Sequence, residues 1–562
     1  MSQLFLCEKP SQAKTLAQLV GADSYVDGVW HGHNLTVVAA QGHLMGLATL
    51  DEYIGKGKWT IEGLPVLPQE WVLQVKADER SQALFKKIGH YLKVADHVVI
   101  ATDPDDEGEL IARDILNAHN YTGKISRLWA SALNPDALRA ALSNLLPLSA
   151  TDGYYRAASL RRKLDWLFGM NLSRAFSVKF NRTTHVGRIK TRLLAELVKR
   201  DRMIADFKPA AFHDVVATIG GAELQYVTGM AVPALLDGDV LSLLTGLAGA
   251  TGVVTSVMED SIEVAPPLPY TLSALLSDAA ALGVSLASGY AAAQSLYEEG
   301  AISYPRSGST ALPSAENESF AVHSAIVVTG ALPANATNEM VEIFNLVQHN
   351  LQMQVSGAAT VKRHTALVDV GGSVFKLQEQ WAVPGKEGFV LAMPPDHPLY
   401  RRYQALIYSP QQKYRKGTKL VVSNVEVKHL ETTAPAPYNE ASMLKMMSVN
   451  GIGTEATRVS SINSLVKDEV AVTSAQTDKH GVVLRAPIVL RSTGWAQDLA
   501  SKLPASVLGD DMTSLIKSAQ DSARREDMNL DRHLLAALKW ILVVMPEPCT
   551  STGQGAKFCG AT

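Results

Sequence analysis

The sequence is poor in cysteine: Cys7, Cys549 and Cys559 are all that 562 residues contain. Three thiols cannot build a disulfide framework or a four-cysteine zinc ribbon within one chain, so no zinc is expected. An excess of one charge sign is also missing, the formal net charge being -3, so a surface for a polyanion has to come from local segregation of charge. No long hydrophobic run occurs. The longest late apolar stretch, Leu534 to Met545, is broken by Lys539 and falls well short of the roughly 20 residues that cross a bilayer, so no membrane partner is expected. The N-terminal MSQLFLCEKPSQAK meets a Glu and a Lys within nine residues and lacks the apolar core and small-residue cleavage site of a secretory signal. A cytoplasmic location is expected. Neither a G-x-x-x-x-G-K-[ST] phosphate loop nor a fixed-period repeat is present.

What the chain does have is ordinary globular composition and length for several domains, about one per 150 residues. Residues 1–150 alternate strand-like runs (LFLCE, NLTVVAA, HVVIATD) with helical ones (SQAKTLAQLV, DERSQALFKKIGHYL, GELIARDILNAH), which predicts an α/β domain on a largely parallel sheet. The pattern turns helical and basic over 151–206, then strand-like over 207–265 up to the cluster Pro266, Pro267 and Pro269, a breaker signal. Residues 266–403 read as helical around GAISYPRSGST, 404–432 as strands, and 433–545 as helices after the break TAPAPY. The tail 546–562 is rich in small residues and is expected to be poorly ordered. The expected fold class is therefore multidomain α/β plus α and β, with the β and helical domains each visited twice by the chain.

Charge does segregate locally. Between Arg156 and Arg202 thirteen Lys and Arg residues face only Asp165, Glu196 and Asp201. Such a run is often just a solvated helix face. Here Trp166, Phe168 and Phe176 interleave with the cations, and aromatic planes beside cations suit single-stranded nucleic acid, whose bases stack while its phosphates seek Lys and Arg.

The most informative short stretch is HVVIATDPDDEGELIARDIL, in which an apolar run ends in Asp103, Asp105 and Glu107 before Gly108 and a helix. Three carboxylates at alternate positions repel one another unless a cation or a buried base compensates, and a cluster of hard oxygen ligands suits Mg²⁺. An EF-hand loop starting at Asp103 fits less well, because position five is Glu, position twelve is Asp114, and the preceding residues are β-like. A plain strand-to-helix turn whose acids favour the helix N-terminus accounts for one or two carboxylates, not three. Glu8 closes the first strand, which in a parallel sheet brings it to the same edge as Asp103, where ligands bind. LCEKP together with DPDDEG resembles the Toprim fold, in which a Glu at one strand end faces a DxD at another.

Toprim domains serve primases, nucleases and topoisomerases, so a nucleophile has to decide the reaction. In LYEEGAISYPRSGS, Tyr304 follows a short apolar run and is separated from Arg306 by Pro305, whose fixed φ stiffens the loop. A phenol of pKa about 10 needs neighbouring cations to act as a nucleophile near neutral pH. A Tyr near an Arg is by itself usually structural. The stretch, however, resembles the active-site segment of type IA DNA topoisomerases. RRKLDWLFGMNLSRAFS resembles that family's Arg-rich helix, VGRIKTRLLAELVKRD its GRVQTPTL element, GIGTEATR its GIGTPATR, and RHTALVD its His-containing segment. These cover about residues 1–470 in the family's order, and EKPS with YPRS is closer to topoisomerase III than to topoisomerase I.

The resemblance implies a Toprim domain followed by a toroidal core of helical and β domains. It implies that Tyr304 attacks a phosphodiester of single-stranded DNA to give a 5′-phosphotyrosine, without nucleotide fuel. Glu8 would act as acid or base at the 3′-oxygen, Lys9 and Arg306 would contact the scissile phosphate, and Glu8, Asp103, Asp105 and Glu107 would hold Mg²⁺. Arg162, Asp165, Arg174, Arg188, Lys190, Thr191, His364, Gly453, Thr454 and Arg458 match positions of the single-strand groove or the active-site surroundings. A monomer working with a helicase or a single-strand-binding protein is the expected assembly. Several positions depart from the pattern: Asp106 stands where Arg is common, Gly308 where Asp is, and Lys190, Arg192 and Glu455 replace Gln, Pro and Pro. Those departures leave a weakened single-strand-binding protein on the same scaffold as the competing reading. A Toprim nuclease or primase is disfavoured, since neither uses a tyrosine.

Overall fold

The computed structural model describes residues 2–227, 236–313, 324–407, 414–474, 488–525 and 530–546. The tail expected at 546–562 lies, but for its first residue, outside them, as do Cys549 and Cys559. The first unit is built on β1 (Gln3–Cys7), β2 (Ser24–Val26), β3 (Val29–Gly32), β4 (Leu35–Ala39), β7 (His97–Ala101), β8 (Lys124–Arg127) and β9 (Leu146–Pro147), with β5 (Met45–Leu47) and β6 (Leu73–Val75) forming a separate small pair. The large sheet runs β2-β3-β4-β1-β7-β8-β9, and its centre, β4-β1-β7-β8, is parallel. Strand β1 is an unbroken apolar run because it is covered on both faces. Leu4 and Leu6 join one core with Ile88 and Ile111, from α2 (Glu79–Leu92) and α3 (Asp106–Ala118). Phe5 and Cys7 join another, with Leu16 of α1 (Pro10–Val20).

Two helices, α4 (Asp152–Phe180) and α5 (Lys190–Ala205), lead from this unit into a closed six-stranded barrel. Its strands are β10 (Ala211–Ile219), β11 (Ala222–Tyr226), β12 (Thr251–Val264), β13 (Ala359–Val370), β14 (Ser373–Ala382) and β15 (Lys419–Glu431), closed in the order β10-β11-β14-β13-β12-β15. Alternate residues such as Val215, Ala217 and Ile219 fill its interior with Val368, Val370 and Phe375, the period-two pattern of a strand with one buried face. Here the sequence reading is corrected: β13 and β14 fall within 266–403, expected to be helical, whereas 404–407, expected to begin a strand, is helical. The tyrosine-bearing stretch between β12 and β13 is helical as expected, with α6 (Leu272–Ala281), α7 (Leu286–Glu298) and α8 (Asn338–Ser356). After β15 come α9 (Glu440–Val449), α10 (Glu455–Lys467), the strand pair β16 (Ala471–Ser474) and β17 (Val489–Ser492), α11 (Asp511–Arg524) and α12 (Asp531–Val544). Among the described residues no helix is long and apolar enough to cross a membrane.

A buried ionic network fixes the end of β7. The Glu109 carboxylate has no exposure and lies between Arg127, whose Nε donates to Oε1 at 2.5 Å, and Arg113, whose Nε donates to Oε2 at 2.9 Å. Arg127, also fully buried, spends its remaining donors on the carbonyls of Thr102 (2.8 Å), Leu128 (2.6 Å) and Asp103 (2.7 Å). Arg113 continues to Asp152 (2.5 Å), the Leu148 carbonyl (2.7 Å) and the Thr151 hydroxyl (2.9 Å) at the start of α4. Removing one partner of such a buried pair leaves the other charge unpaired. Arg127→Ala is accordingly expected to cost about 3–5 kcal/mol of stability, to be read as a lower denaturation midpoint in urea; a change below about 1 kcal/mol, ordinary for a surface site, would show that the network does not hold the strand end.

Candidate active site

Because β1 and β7 are parallel neighbours with Cys7 opposite Ala101, the next residues of both strands emerge together, bringing Glu8 and Lys9 beside Thr102 and Asp103. Helix α3 starts at once, and Asp105 caps it by accepting from the Gly108 amide at 2.7 Å. Gly108 cannot be replaced by a larger residue here, since a Cβ would lie 2.1 Å from the Asp103 carbonyl oxygen. Tyr304 is delivered from 199 residues away: its amide donates to the Ser131 carbonyl at 2.9 Å, its ring meets Tyr297 edge-on at 5.4 Å, and its hydroxyl donates to Asp105 Oδ2 at 2.5 Å. Lys9 Nζ donates to Asp103 Oδ2 at 2.8 Å, and Arg306 Nη1 stands 3.8 Å from the same oxygen and 3.9 Å from Glu8 Oε1. The expected catalytic group of Tyr304, Arg306, Glu8 and Lys9 is thus gathered in one place.

The electrostatics of this cluster follow from its dryness. Burial pushes the Tyr304 phenol well above its ordinary pKa, Asp105 and Asp103 add to that, and Arg306 opposes it. Burial and the neighbouring Asp103 push the Glu8 carboxyl up to about 7 against the pull of Lys9. Among the described residues, Glu8 Oε2 and Asp103 Oδ1 are buried without a hydrogen-bond partner, so acceptor capacity remains at the strand ends. Glu107 is drawn elsewhere: it pairs with Arg161 and meets His43 Nε2 at 2.8 Å, the imidazole being held neutral because burial lowers its pKa to about 4. Among the described residues no group of three or more His, Cys, Asp or Glu side chains is arranged to hold a metal ion. The expected set of Glu8, Asp103, Asp105 and Glu107 is therefore only partly assembled.

Beside this cluster opens a pocket of about 620 Å³, lined in part by Asp105, Asp106, Arg161, Arg306, Thr454 and Arg524. Thr454 starts α10 after Gly453, whose φ of +68° suits glycine. Arg458 is buried one turn later, donating to the Ile452 carbonyl (3.0 Å) and the Ser273 hydroxyl (2.9 Å) and pairing with Glu455. Glu455 in turn accepts from the amide (2.8 Å) and hydroxyl (2.6 Å) of Ser273, satisfying an otherwise unpaired donor at the N-terminus of α6. The other expected groove residues are paired within the chain: Arg162 with Asp114, Asp165 with Arg188 (2.9 Å), Arg174 with Asp51 and Lys190 with Asp468. Thr191 is buried and donates to the carbonyls of Gly187 (2.8 Å) and Val507 (3.0 Å). His364 lies in the barrel, buried, with Nδ1 3.2 Å from Glu259 Oε1, and does not line the pocket.

The aromatic part of the sequence reading is corrected. Trp166, Phe168 and Phe176 are buried in the helical core, because a 29-residue helix packed along much of its length needs them there. An aromatic that remains exposed beside a groove cation is Trp59, with the Arg174 guanidinium 4.7 Å from its ring centre. Sequence reading also missed Glu109, Arg127 and Arg524, which carry no motif; only their charge within otherwise apolar or helical runs could have drawn attention.

Two expected outcomes test this geometry. In the unfolded chain Glu8 ionises above about 4.5, while in the native protein it keeps its proton until about 7, so its contribution to stability is complete at low pH and fades as pH rises across that window. In metal-free buffer the melting temperature of wild type relative to Glu8→Gln should therefore fall between pH 5 and 8; a pH-independent difference would refute the raised pKa. Secondly, a Cβ at Gly308 would sit 3.8 Å from Glu455 Oε1, so an Asp there meets a like charge. Gly308→Asp should lower the urea midpoint in the wild-type background and lower it less in a Glu455→Pro background, with a coupling of about 0.5–3 kcal/mol. Strict additivity would mean that the two positions do not interact.

A family model described as DNA topoisomerase matches residues 149–322 and 315–484, and a Toprim domain model matches residues 3–133. Similar proteins include DNA topoisomerase 3 of Haemophilus influenzae, 27% identical over 91% of this chain and 89% of that protein, and DNA topoisomerase 3 of Pasteurella multocida, 25% identical over 95% and 93%. DNA topoisomerase 3 of Bacillus subtilis is 32% identical over 55% of this chain and 43% of that protein. The full-length topoisomerase I of Thermotoga maritima has the same fold, with a TM-score of 0.76 over 97% of this chain and 90% of that one at 21% identity. With an acidic sheet edge, a buried tyrosine meeting it and family models matching residues 3–133 and 149–484, the chain belongs to the type IA DNA topoisomerases and is topoisomerase III-like.

Proposed function

We propose that this chain changes DNA topology by cutting one strand through Tyr304, letting another strand pass, and resealing the first, without ATP. One observation carries the reading: the Tyr304 hydroxyl sits 2.5 Å from Asp105, within a cluster that holds Arg306, Lys9 and Glu8. The phenolic oxygen attacks phosphorus, and Asp105 is the acceptor in reach of its proton. The bond from phosphorus to the 3′-oxygen breaks, and Glu8, whose pKa near 7 leaves it partly protonated at neutral pH, supplies the proton to that oxygen. Religation reverses both transfers. Arg306 and Lys9 offset the charge that builds up on the phosphoryl oxygens. The resulting 5′-phosphotyrosine retains the energy of the broken bond, which is why no nucleotide is needed.

The donor chemistry of the strand ends fits Mg²⁺, with Glu8, Asp103 and Asp105 offering only oxygens and two of these oxygens buried without a partner; Glu107 completes the set once it leaves Arg161 and His43. When bound, the ion would neutralise charge on the carboxylates and align phosphate oxygens. The single strand runs along α4 and α5, where phosphates compete for Arg162, Arg174, Arg188 and Lys190, with Asp165, Thr191, Gly453, Thr454 and Arg458 shaping its path, while His364, buried in the barrel against Glu259, acts on it only indirectly. Residues 1–150 act as the Toprim domain, 151–206 and 433–545 as the groove, the barrel as the arch, and the segment between β12 and β13 as the moving tyrosine unit. The assembly is a cytoplasmic monomer that cooperates with a helicase or a single-strand-binding protein.

The test is covalent capture. With end-labelled single-stranded DNA and a denaturing quench, wild type should yield a protein-linked 5′ end and Tyr304→Phe none. Tight binding by wild type with no adduct would instead identify a single-strand-binding protein on this scaffold.

A further inference from the structure

The position in the acidic motif where the family commonly carries Arg is Asp106 in this chain, which puts an anion at the mouth of the pocket where a phosphate has to arrive. Asp106 is little exposed, and Arg524 Nη2 donates to its Oδ2 at 2.7 Å. Arg524 comes from 418 residues further along, at the last turn of α11. Its backbone is held: Arg156 of α4 donates to the Ala523 carbonyl at 3.1 Å, and Gly153 packs so closely that a Cβ would stand 3.3 Å from the Arg524 carbonyl oxygen. Its guanidinium lies 6.0 Å from the Tyr154 ring centre. The side chain itself remains 48% exposed and lines the same pocket as Asp105, Arg306 and Thr454.

From this geometry we infer that Arg524 is a DNA-backbone-binding residue of the cleavage site, taking over from the C-terminal helix the cation that the acidic motif lacks, with Asp106 as its positioning partner. Among the described residues Asp106 is the carboxylate that holds the guanidinium, by one nitrogen, and the half-exposed side chain at the pocket wall keeps donor capacity for an incoming phosphate. A planar guanidinium suits a phosphate better than an ammonium does, because it can donate two parallel hydrogen bonds. The site is then complete only when α11 is docked on α4. The inference rests on the topoisomerase reading for the identity of its ligand, and its test is independent of cleavage chemistry.

Binding of a fluorescent single-stranded oligonucleotide is measured by anisotropy in EDTA over a salt series, with every protein carrying Tyr304→Phe. Arg524→Gln, which keeps a polar side chain at the pocket wall while removing the charge, should weaken binding several-fold and reduce the slope of log K against log salt by about 0.7, the loss of one phosphate contact. Adding Asp106→Arg, which returns a cation to the motif position, should restore both. An unchanged slope in Arg524→Gln would overturn the inference, and so would a loss that Asp106→Arg cannot recover, since that is the behaviour of a structural brace. Failure of covalent capture in wild type would sink the topoisomerase reading alone, because this measurement contains no cleavage step.

Discussion

Everything at the active site depends on a carboxylate that takes no part in it. Glu109, without exposure between Arg113 and Arg127, lets a fully buried guanidinium hold the carbonyls of Thr102 and Asp103. The turn after β7 is thereby fixed from behind, so that Asp103 and Asp105 can point forward although they repel each other. The same network reaches Asp152 and Thr151, so the sheet edge and the long basic helix are set against one another by one chain of charge-assisted hydrogen bonds. A dry frame of this kind also explains why Glu8 keeps its proton toward neutrality: the cations that could draw it off, Lys9 and Arg306, stand 3.9 Å away from its oxygen and are shared with Asp103.

Much of this was legible in the sequence, for identifiable reasons. The parallel strands show as short apolar runs ending in chemistry: β1 stops at Cys7 and β7 at Ala101, just inside the runs LFLCE and HVVIATD, so Glu8 and Asp103 follow the strand ends. Tyr304, Arg306, Glu8 and Lys9 converge because each lies in a motif whose order along the chain is informative. Strands β13 and β14 were hidden because helices surround them in sequence, while their alternation of buried and half-buried residues is decided by barrel partners far away in the chain. Trp166, Phe168 and Phe176 misled because interleaved charge looks the same whether the aromatic faces a base or a helix core. Glu109 and Arg127 were missed for a related reason: a buried ion pair is a property of two distant positions, and neither residue type announces its partner.

The departures from the family pattern acquire a common reading in three dimensions. At Gly308 a carboxylate is missing, and the space in front of it holds the carboxylate of Glu455, which is bound to Ser273 and Arg458. At Asp106 a cation is missing, and a cation arrives from α11. In both places the charge is present but is carried by helices that follow the barrel, so the acidic motif and the tyrosine loop lean on the C-terminal part of the chain for electrostatic balance.

The barrel's register has a mechanical consequence. The chain leaves it for the tyrosine segment at Val264 and returns at Ala359, and these two residues are direct partners across β12 and β13; it enters at Ala211 and leaves at Glu431, which are partners across β10 and β15. The tyrosine segment is therefore joined to the barrel by two paired strands, and a further apolar cluster of Met353 from α8 with Phe389, Val390, Met393 and Leu406 packs it against the stretch between β14 and β15. A load applied to the tyrosine segment reaches the barrel at the Val264–Ala359 end of one ladder, so it is taken up by the last pairs of β12 and β13 and by the Met353 cluster before it reaches the pairs behind them.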